Sequence, residues 1–316
     1  MIIDKIDKKI LEAIRGELVS GEKLSATLGI SRTAVWKRIK KLEDLGYKIK
    51  HERKGYRLEK TTNYLLCTEI ESILKTRWLG KNYIFFKQIN STNIFAKKEE
   101  LEDGTVVLAE TQTGGKGRKG RKWLSVEGKG LYFSIVLNRN IPINELMTFS
   151  FIFPVGVKKA IEKETGLKIN IKWPNDLYLN NKKLAGFLIE TEFEGNYLYK
   201  LVAGIGININ HDLKDLQELK ETATSLKIET GKEYDRKSLF GKILSEIENL
   251  VEEFDRKKVI EEVDKSLLWK GERVKLVDEG IEGVLVGLNS SGGIRVFTDN
   301  KIKDFYSGEI TLRRAE

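Results

Sequence analysis

Nine consecutive positions, Gly114-Gly115-Lys116-Gly117-Arg118-Lys119-Gly120-Arg121-Lys122, hold four glycines and five cations. Glycine lets backbone N–H groups crowd around an anion, and the cations cancel its charge. Cations held so close repel one another, so this segment is expected to be a loop that is mobile when empty and ordered by an anionic ligand. Gly115, Gly117 and Gly120 satisfy G-x-G-x-x-G. A dinucleotide fold needs a helix to begin there, whereas Trp123-Leu124-Ser125 leads toward a strand at residues 131–137. A P-loop needs Lys then Ser/Thr after its last glycine, and here Arg121-Lys122 follow. Both nucleotide-fold readings fail, and an anion-wrapping loop stands against a plain surface loop.

At 316 residues the chain is long enough for two ordinary domains, or three if some are small. Its 40% hydrophobic and 33% charged residues describe a globular chain rather than a disordered one. No apolar run approaches the ~20 residues of a membrane span. Met1-Ile2-Ile3-Asp4-Lys5 is too early acidic and too sparsely apolar for a signal peptide. The lone Cys67 rules out an internal disulfide and fits a reducing, cytoplasmic setting. With only His51 and His211 beside it, a zinc site is excluded, and any metal would be oxygen-bound magnesium travelling with a nucleotide. The formal charge of +9 is concentrated, because residues 32–57 carry ten Lys/Arg against three Asp/Glu. Concentrated positive charge suggests a polyanionic partner.

The pattern divides into residues 1–62, 63–270 and 271–316. In the first segment Ile3, Ile6, Ile10 and Ile14 recur at helical spacing. Ser20 caps a short helix that ends near Leu28 at Gly29, and Ser31 caps a third that Gly46 closes. Val35, Ile39 and Leu42 form that helix's buried stripe, leaving Arg32, Thr33, Trp36, Lys37 and Lys40 outward. Strands at 48–51 and 56–59 flank a turn at 52–55. The order reads as a winged helix-turn-helix. A basic helix face can be merely solvated, but an exposed Trp36 among cations costs solubility unless it meets a partner. The cations would neutralise phosphates while Thr33, Trp36 and Lys37 meet base edges.

The middle segment mixes strands at 83–89, 106–111, 131–137, 169–172, 183–190 and 197–207 with helices near 92–102, 144–165 and 236–256. Turns at Asn180-Asn181 and Glu194-Gly195-Asn196 make its last strands antiparallel hairpins, so the fold is α+β with a mixed sheet. The last segment predicts short strands at 273–277, 283–288, 294–297, 303–306 and 311–313, a small SH3-like β-barrel.

Lys172-Trp173-Pro174-Asn175-Asp176 follows a strand. Pro174 is expected to hold Trp173 extended and stop the ladder, so that Asn175 and Asp176 project to hold ribose, phosphate or Mg²⁺. Taken alone it is equally an ordinary Pro-Asn-Asp turn. Lys183 beside Ala185 and Gly186 suits a ligand's close approach, and Asn208 and Asn210 close the strand after Gly204 and Gly206. No nucleophile–base pair appears, and both histidines lie outside these motifs. Chemistry would rest on cations, amides and metal, which points to carboxylate or phosphoryl activation rather than hydrolysis.

Taken together, Ser91-Thr92-Asn93, the loop from Gly115 to Trp123, Lys172 to Asp176, Lys183 to Gly186 and Gly204 to Asn208 resemble the biotin–protein ligase family, specifically its bifunctional branch with an N-terminal repressor domain. The resemblance covers essentially the whole chain. It implies that biotin and ATP form biotinyl-5′-AMP and pyrophosphate, and that a lysine of the biotin carboxyl carrier protein of acetyl-CoA carboxylase then takes the biotinyl group. It implies that Ser91, Thr92, Asn93, Gln112, Lys116, Gly117, Arg118 and Lys183 contact biotin. Arg121, Trp123, Lys172, Asn175, Asp176 and Asn208 would lie on the ATP side, with Trp123 a flat surface for adenine and Asp176 the Mg²⁺ ligand. Arg118 and Lys183 would be catalytic, stabilising charge that builds on the phosphoryl oxygens. It further implies a homodimer that binds operator DNA with biotinyl-5′-AMP as corepressor. Two residues depart from the family pattern: Lys116 where Arg is common, which keeps charge but loses bidentate geometry, and Asn90 where Asp is familiar. Rival readings are a lipoate ligase, for which an N-terminal DNA-binding domain is not expected, and a ligand-sensing repressor without catalysis.

Overall fold

The computed structural model describes residues 3–195, 197–306 and 312–314, in two compact units, Met1–Ser72 and Ile73–Glu316. The first unit therefore runs past residue 62. Asn196 of the expected turn at 194–196, and Thr311 of the expected last strand, lie outside the described residues.

In the first unit, α1 (Lys5–Ile14) starts at a capping box in which Asp4 accepts from the backbone of Ile6 and Asp7, and Asp7 accepts from that of Asp4. The buried stripe of α1 is Ile10, Leu11 and Ile14, with Ile3 and Ile6 only half-buried. The fully buried carboxylate of Asp7 accepts from Arg38 Nη1 and Lys41 Nζ, each at 2.6 Å. A buried acid needs such partners, and these two tie α1 to a later helix. Ser20 caps α2 (Gly21–Leu28), which Gly29 ends at φ 63°. Ser31 caps α3 (Arg32–Asp44), which buries Val35, Ile39 and Leu42 as expected. β1 (Lys48–Glu52) and β2 (Gly55–Lys60) pair antiparallel. Val19 and Tyr56 stitch this wing to the helices, and a Cβ on Gly55 would strike the Val19 carbonyl. A short α4 (Cys67–Ile70) follows.

The second unit is built on an eight-stranded mixed sheet. Its strands are β3 (Tyr83–Ile89), β4 (Val106–Gln112), β5 (Gly130–Leu137), β6 (Ile141–Pro142), β7 (Asn170–Lys172), β8 (Asp176–Leu179), β9 (Lys182–Glu194) and β10 (Tyr197–Asn208). The order is β3-β4-β5-β10-β9-β8-β7, with β6 paired to β10. Only β3 and β4 run parallel among these pairs, joined by α5 (Thr92–Lys98). Ala96 of α5 packs on Val107, Val136 and Val202 of the sheet.

The expected helix 144–165 divides into α6 (Leu146–Ser150) and α7 (Ile152–Thr165). Pro154 fits the first turn of α7, where its missing N–H has no partner to lose. Expected residues 92–102 are helical only through Lys98. After a one-turn α8 (Leu226–Thr230), the helix expected at 236–256 ends earlier, as α9 (Arg236–Glu252), because Asp255 caps a separate α10 (Arg256–Lys265). Phe240 of α9 meets Phe133 of β5 edge-on at 5.2 Å between ring centroids, backing the sheet on the face away from α5.

Pro174 does not stop the ladder. The chain turns at a cis Trp173–Pro174 peptide and pairs back, Lys172 against Asp176, into β8, a strand the sequence pattern missed. Asn180 and Asn181, at φ 49° and 62°, make the tight turn into β9.

Last come β11 (Arg273–Leu276), β12 (Ile281–Leu288), β13 (Ile294–Thr298), β14 (Lys301–Phe305) and β15 (Leu312–Arg314), ordered β14-β13-β12-β11-β15. Among the described residues β14 and β15 do not pair, so this is a five-stranded antiparallel sheet and no closed barrel is seen. No helix among the described residues is long and apolar enough to cross a membrane.

Behind β5, His211 is fully buried with Nε2 2.9 Å from the Tyr132 hydroxyl, and its Nδ1 has no hydrogen-bond partner among the described residues. Burial lowers its pKa to about 4. The unfolded chain takes up this proton near pH 6.5 and the folded one only near 4, so the contribution is complete above 6.5 and lost as pH falls toward 4. Up to roughly 3 kcal/mol is at stake. Urea unfolding at pH 7 and pH 4.5 should show a clearly smaller loss of stability in His211→Gln than in the native protein; equal losses would acquit His211.

Candidate active site

Strands β9 and β10 lay a floor with few side chains. Gly206 pairs with Gly186, and Gly204 with Leu188. A Cβ at Gly206 would collide with the Trp123 indole and one at Gly204 with the Asn93 amide, while one at Gly186 would lie 2.8 Å from Trp123. Above this floor is a cavity of about 560 Å³, within the ~300–1,000 Å³ of small-molecule sites.

At one end, Ser91 caps α5, and Thr92 donates its backbone N–H to Gln112 Oε1 at 2.8 Å. Ser125 closes the base of the cationic loop: its Oγ accepts from the Gln112 N–H at 2.7 Å and donates to the Gln112 carbonyl at 3.1 Å. The loop itself is folded into a narrow hairpin. Gly117 donates to the Arg121 carbonyl at 2.7 Å, Trp123 to that of Gly115 at 2.9 Å, and Lys119 and Gly120 reverse the chain at φ 57° and 70°. Arg118 Nη1 reaches Asn175 Oδ1 at 3.3 Å, and Lys119 pairs with Asp278 at 2.6 Å.

At the other end stands the β7–β8 turn. Trp173 is buried and donates its indole N–H to the Gly292 carbonyl at 3.0 Å, anchoring the turn. Asn175 donates Nδ2 to the Phe187 carbonyl at 2.5 Å, which turns its Oδ1 toward Arg118. Lys183 Nζ lies 2.7 Å from Asp176 Oδ1 and 5.4 Å from the centre of the Trp123 ring. Lys172 Nζ is 5.2 Å from the Tyr178 ring centre and 5.1 Å from that of Trp269. Burial lowers the Lys172 pKa; Asp176 opposes this, and Lys183, Arg313 and Arg121 add to it. Burial also pushes the Tyr178 phenol up to about 12.

All the residues expected on the biotin and ATP sides line this one cavity. Trp123 covers the glycine floor beside Lys183. Asp176 is engaged by Lys183, and among the described residues no three His, Cys, Asp or Glu converge on a metal position. Asn208 is buried and donates to the Thr224 carbonyl at 3.0 Å.

Sequence reasoning missed a covering segment. Leu216, Leu219, Thr222 and Ala223 line the cavity, held there because Lys183 and Thr222–Thr224 exchange backbone hydrogen bonds at 2.9 Å. The one available signal was Leu213, Leu216 and Leu219 at threefold spacing in an unassigned stretch. Arg313 of β15 also lines the cavity and had no sequence signal. In the first unit, Arg32, Thr33, Trp36, Lys37 and Lys40 all stand exposed on α3, Trp36 at 49%. Arg32 pairs with Glu22 at 2.5 Å and Lys40 with Glu43 at 2.9 Å.

The biotin/lipoate A/B protein ligase family profile matches residues 85–208, and a helix-turn-helix domain profile matches residues 8–57. The bifunctional ligase/repressor BirA of Bacillus subtilis (strain 168) is 35% identical over 306 residues, 94% of each chain. That of Escherichia coli (strain K12) is 31% identical over 317 residues, 98% of this chain and 97% of the other. The biotin protein ligase from Aquifex aeolicus, solved in complex with biotin and ATP, is 40% identical with a TM-score of 0.66, and the match covers 74% of this chain and 100% of that one. The chain belongs to the biotin–protein ligase family, in its bifunctional ligase/repressor branch.

Proposed function

We propose that this protein joins biotin to ATP as biotinyl-5′-AMP, transfers the biotinyl group to a lysine of the biotin carboxyl carrier protein of acetyl-CoA carboxylase, and represses transcription of biotin genes with biotinyl-5′-AMP as corepressor. The observation that carries the enzymatic half is the single cavity in which Arg118, Arg121, Lys172 and Lys183 converge over a glycine floor. In the first step a biotin carboxylate oxygen bonds to the α-phosphorus as the bond to pyrophosphate breaks. Two anions must meet, and Arg118 and Lys183 lower that repulsion and the charge that builds on the phosphoryl oxygens. In the second step the lysine nitrogen attacks the acyl carbon and AMP leaves with the anhydride oxygen.

Ser91, Thr92, Asn93, Gln112, Lys116 and Gly117 take the biotin end, and Arg121, Trp123, Lys172, Asn175, Asp176 and Asn208 the nucleotide end. Trp123 borders both, since it lies on the floor between them. Asp176 is the cavity's carboxylate next to these cations. One carboxylate suits Mg²⁺, which keeps its waters and phosphate oxygens, and Lys183 would yield Asp176 to the metal and turn to the reacting anions. Mg²⁺ supplies charge neutralisation on the phosphates. The loop hairpin closes over the anhydride and excludes water.

We further propose three domains (1–62, 63–270 and 271–316), a cytoplasmic location, and a homodimer. The dimer reading is supported by exposed apolar side chains near the β9–β10 end of the sheet, Phe193 opposite Leu198, Tyr197 opposite Glu194, and Tyr199, with exposed Ile143 following the β6 strand that pairs there. A two-fold dimer presents two α3 helices to two half-sites, Arg32, Thr33, Trp36, Lys37 and Lys40 facing DNA.

Mixing the protein with biotin, ATP and Mg²⁺ should release pyrophosphate, and Lys183→Met should slow that release about 10²-fold or more, the ~3 kcal/mol of one lost charge-stabilising donor. No pyrophosphate from the native protein would remove the ligase reading and leave a sensing repressor. Lys40→Ala should weaken operator binding and flatten its salt dependence by about two units of slope, one for each α3 of the dimer; unaltered binding and slope would take Lys40 off the phosphates. In sedimentation with biotinyl-5′-AMP, Phe193→Asp should remain monomeric where the native chain dimerises, and adenylation should be unchanged. A dimeric variant would place the interface elsewhere.

A further inference from the structure

We infer that Ser134, which does not line the cavity, is a positioning residue that sets which way the hydrogen bonds at the biotin end point. The inference rests on the biotin reading above. Ser134 stands in β5, flanked by Phe133 and Ile135, and is fully buried. A buried hydroxyl there is costly unless it is hydrogen-bonded. Its strand partners explain how it is reached: Ser134 pairs with Gly204 of β10, and the missing side chain at Gly204 lets the Asn93 amide lie against the sheet. Ser134 Oγ is consequently 2.6 Å from Asn93 Oδ1 and 2.7 Å from Thr92 Oγ1.

A hydroxyl has one proton and cannot donate to both. The Asn93 amide decides the matter. Its Nδ2 faces two groups that only accept, the Leu188 carbonyl at 3.2 Å and Glu190 Oε2 at 2.9 Å, and Lys97 Nζ holds the other oxygen of Glu190 at 2.9 Å. Asn93 Oδ1 must therefore point at Ser134, and leaving it without a donor at a residue only 5% exposed would be costly. Ser134 donates to Asn93, and its lone pair is left to accept the Thr92 hydroxyl proton.

The consequence reaches the cavity. The 2.7 Å contact with Ser134 takes the Thr92 hydroxyl proton in preference to the longer 3.2 Å contact along which Thr92 can donate to Gln112 Oε1, so Thr92 Oγ1 keeps a lone pair for a ligand. Those two oxygens are a site for a ligand N–H. Gln112 Oε1 is already fixed by the Thr92 backbone N–H, so the same amide presents its Nε2 as a donor. An adjoining N–H and C=O, as in the cyclic urea of biotin, match this arrangement. A head group that could only accept would meet the wrong end of Thr92. The relay from Glu190 through Asn93 and Ser134 thus selects the ligand without touching it.

Ser134→Ala removes one buried oxygen and adds no atom, so packing is kept. Calorimetry on the full chain should show biotin binding weakened about tenfold, ~1.4 kcal/mol, while the KM for ATP stays within about twofold. In a Thr92→Val background, where there is no hydroxyl left to orient, the same change should add less than about twofold. Biotin affinity within about twofold of native in Ser134→Ala, equal losses toward biotin and ATP, or full additivity in the double variant would each overturn the role of Ser134. Absence of biotin binding by the native protein would instead defeat the ligase reading.

Discussion

Two anionic molecules can react on this protein only if backbone, rather than side chains, forms the surface beneath them. Gly186, Gly204 and Gly206 meet that requirement on neighbouring strands, and the space they leave is used at once, by Trp123 over two of them and Asn93 over the third. The floor therefore fixes more than volume. It seats the indole that ends the cationic loop and the amide that begins α5, so the two ends of the cavity are registered by the same strand pair. An added Cβ at any of these glycines would force out the neighbour that defines the site.

The rim is held to the fold by one buried ion pair. Glu110 of β4 is fully buried and faces Arg236 Nη1 at 3.0 Å; Arg236 also donates to the Gly130 carbonyl at 2.9 Å, and Gly128 donates to Glu110 at 3.1 Å. Such a pair is weak evidence for stability as such, because desolvation offsets much of its attraction. Its geometric effect is plain: the start of α9, the strand before the loop and the turn after it are fixed to one another. Ser125 then closes the loop's two ends onto Gln112.

Much of this was legible because the chemistry is written in short, ordered motifs. Caps at Ser20 and Ser31, the left-handed Gly29 and the Asn180-Asn181 turn are local signals, and local signals survive into the fold. The failures have a common cause in tertiary context. Residues 144–165 read as one helix because their apolar pattern runs on, yet Pro154 needs a helix start near it. β8 is four residues long, too short for periodicity to mark, and exists because β9 offers it a partner. The segment carrying Leu216 and Ala223 has no motif at all; it covers the cavity through backbone bonds to Lys183. The pairing of Lys183 with Asp176 could not be read from sequence either, since the family resemblance placed them on different ligands.

The positive excess of the cavity raises the question of how it is tolerated between ligands. Lys116, Arg118, Arg121, Lys172, Lys183 and Arg313 all line it, with Asp176. Three of them are held in different ways. Lys183 leans on Asp176, Arg118 on the dipole of Asn175, and Lys172 lies near the electron-rich faces of Tyr178 and Trp269, an arrangement that holds a cation without neutralising it. The downward pull on the Lys172 pKa from burial and from Lys183, Arg313 and Arg121 is what such crowding must produce. An arriving triphosphate removes that repulsion, so part of its binding energy is already stored in the empty site as unfavourable charge. That stored repulsion also gives direction, because once pyrophosphate leaves, the cations that drew in the nucleotide remain concentrated around the single charge of the acyl-adenylate.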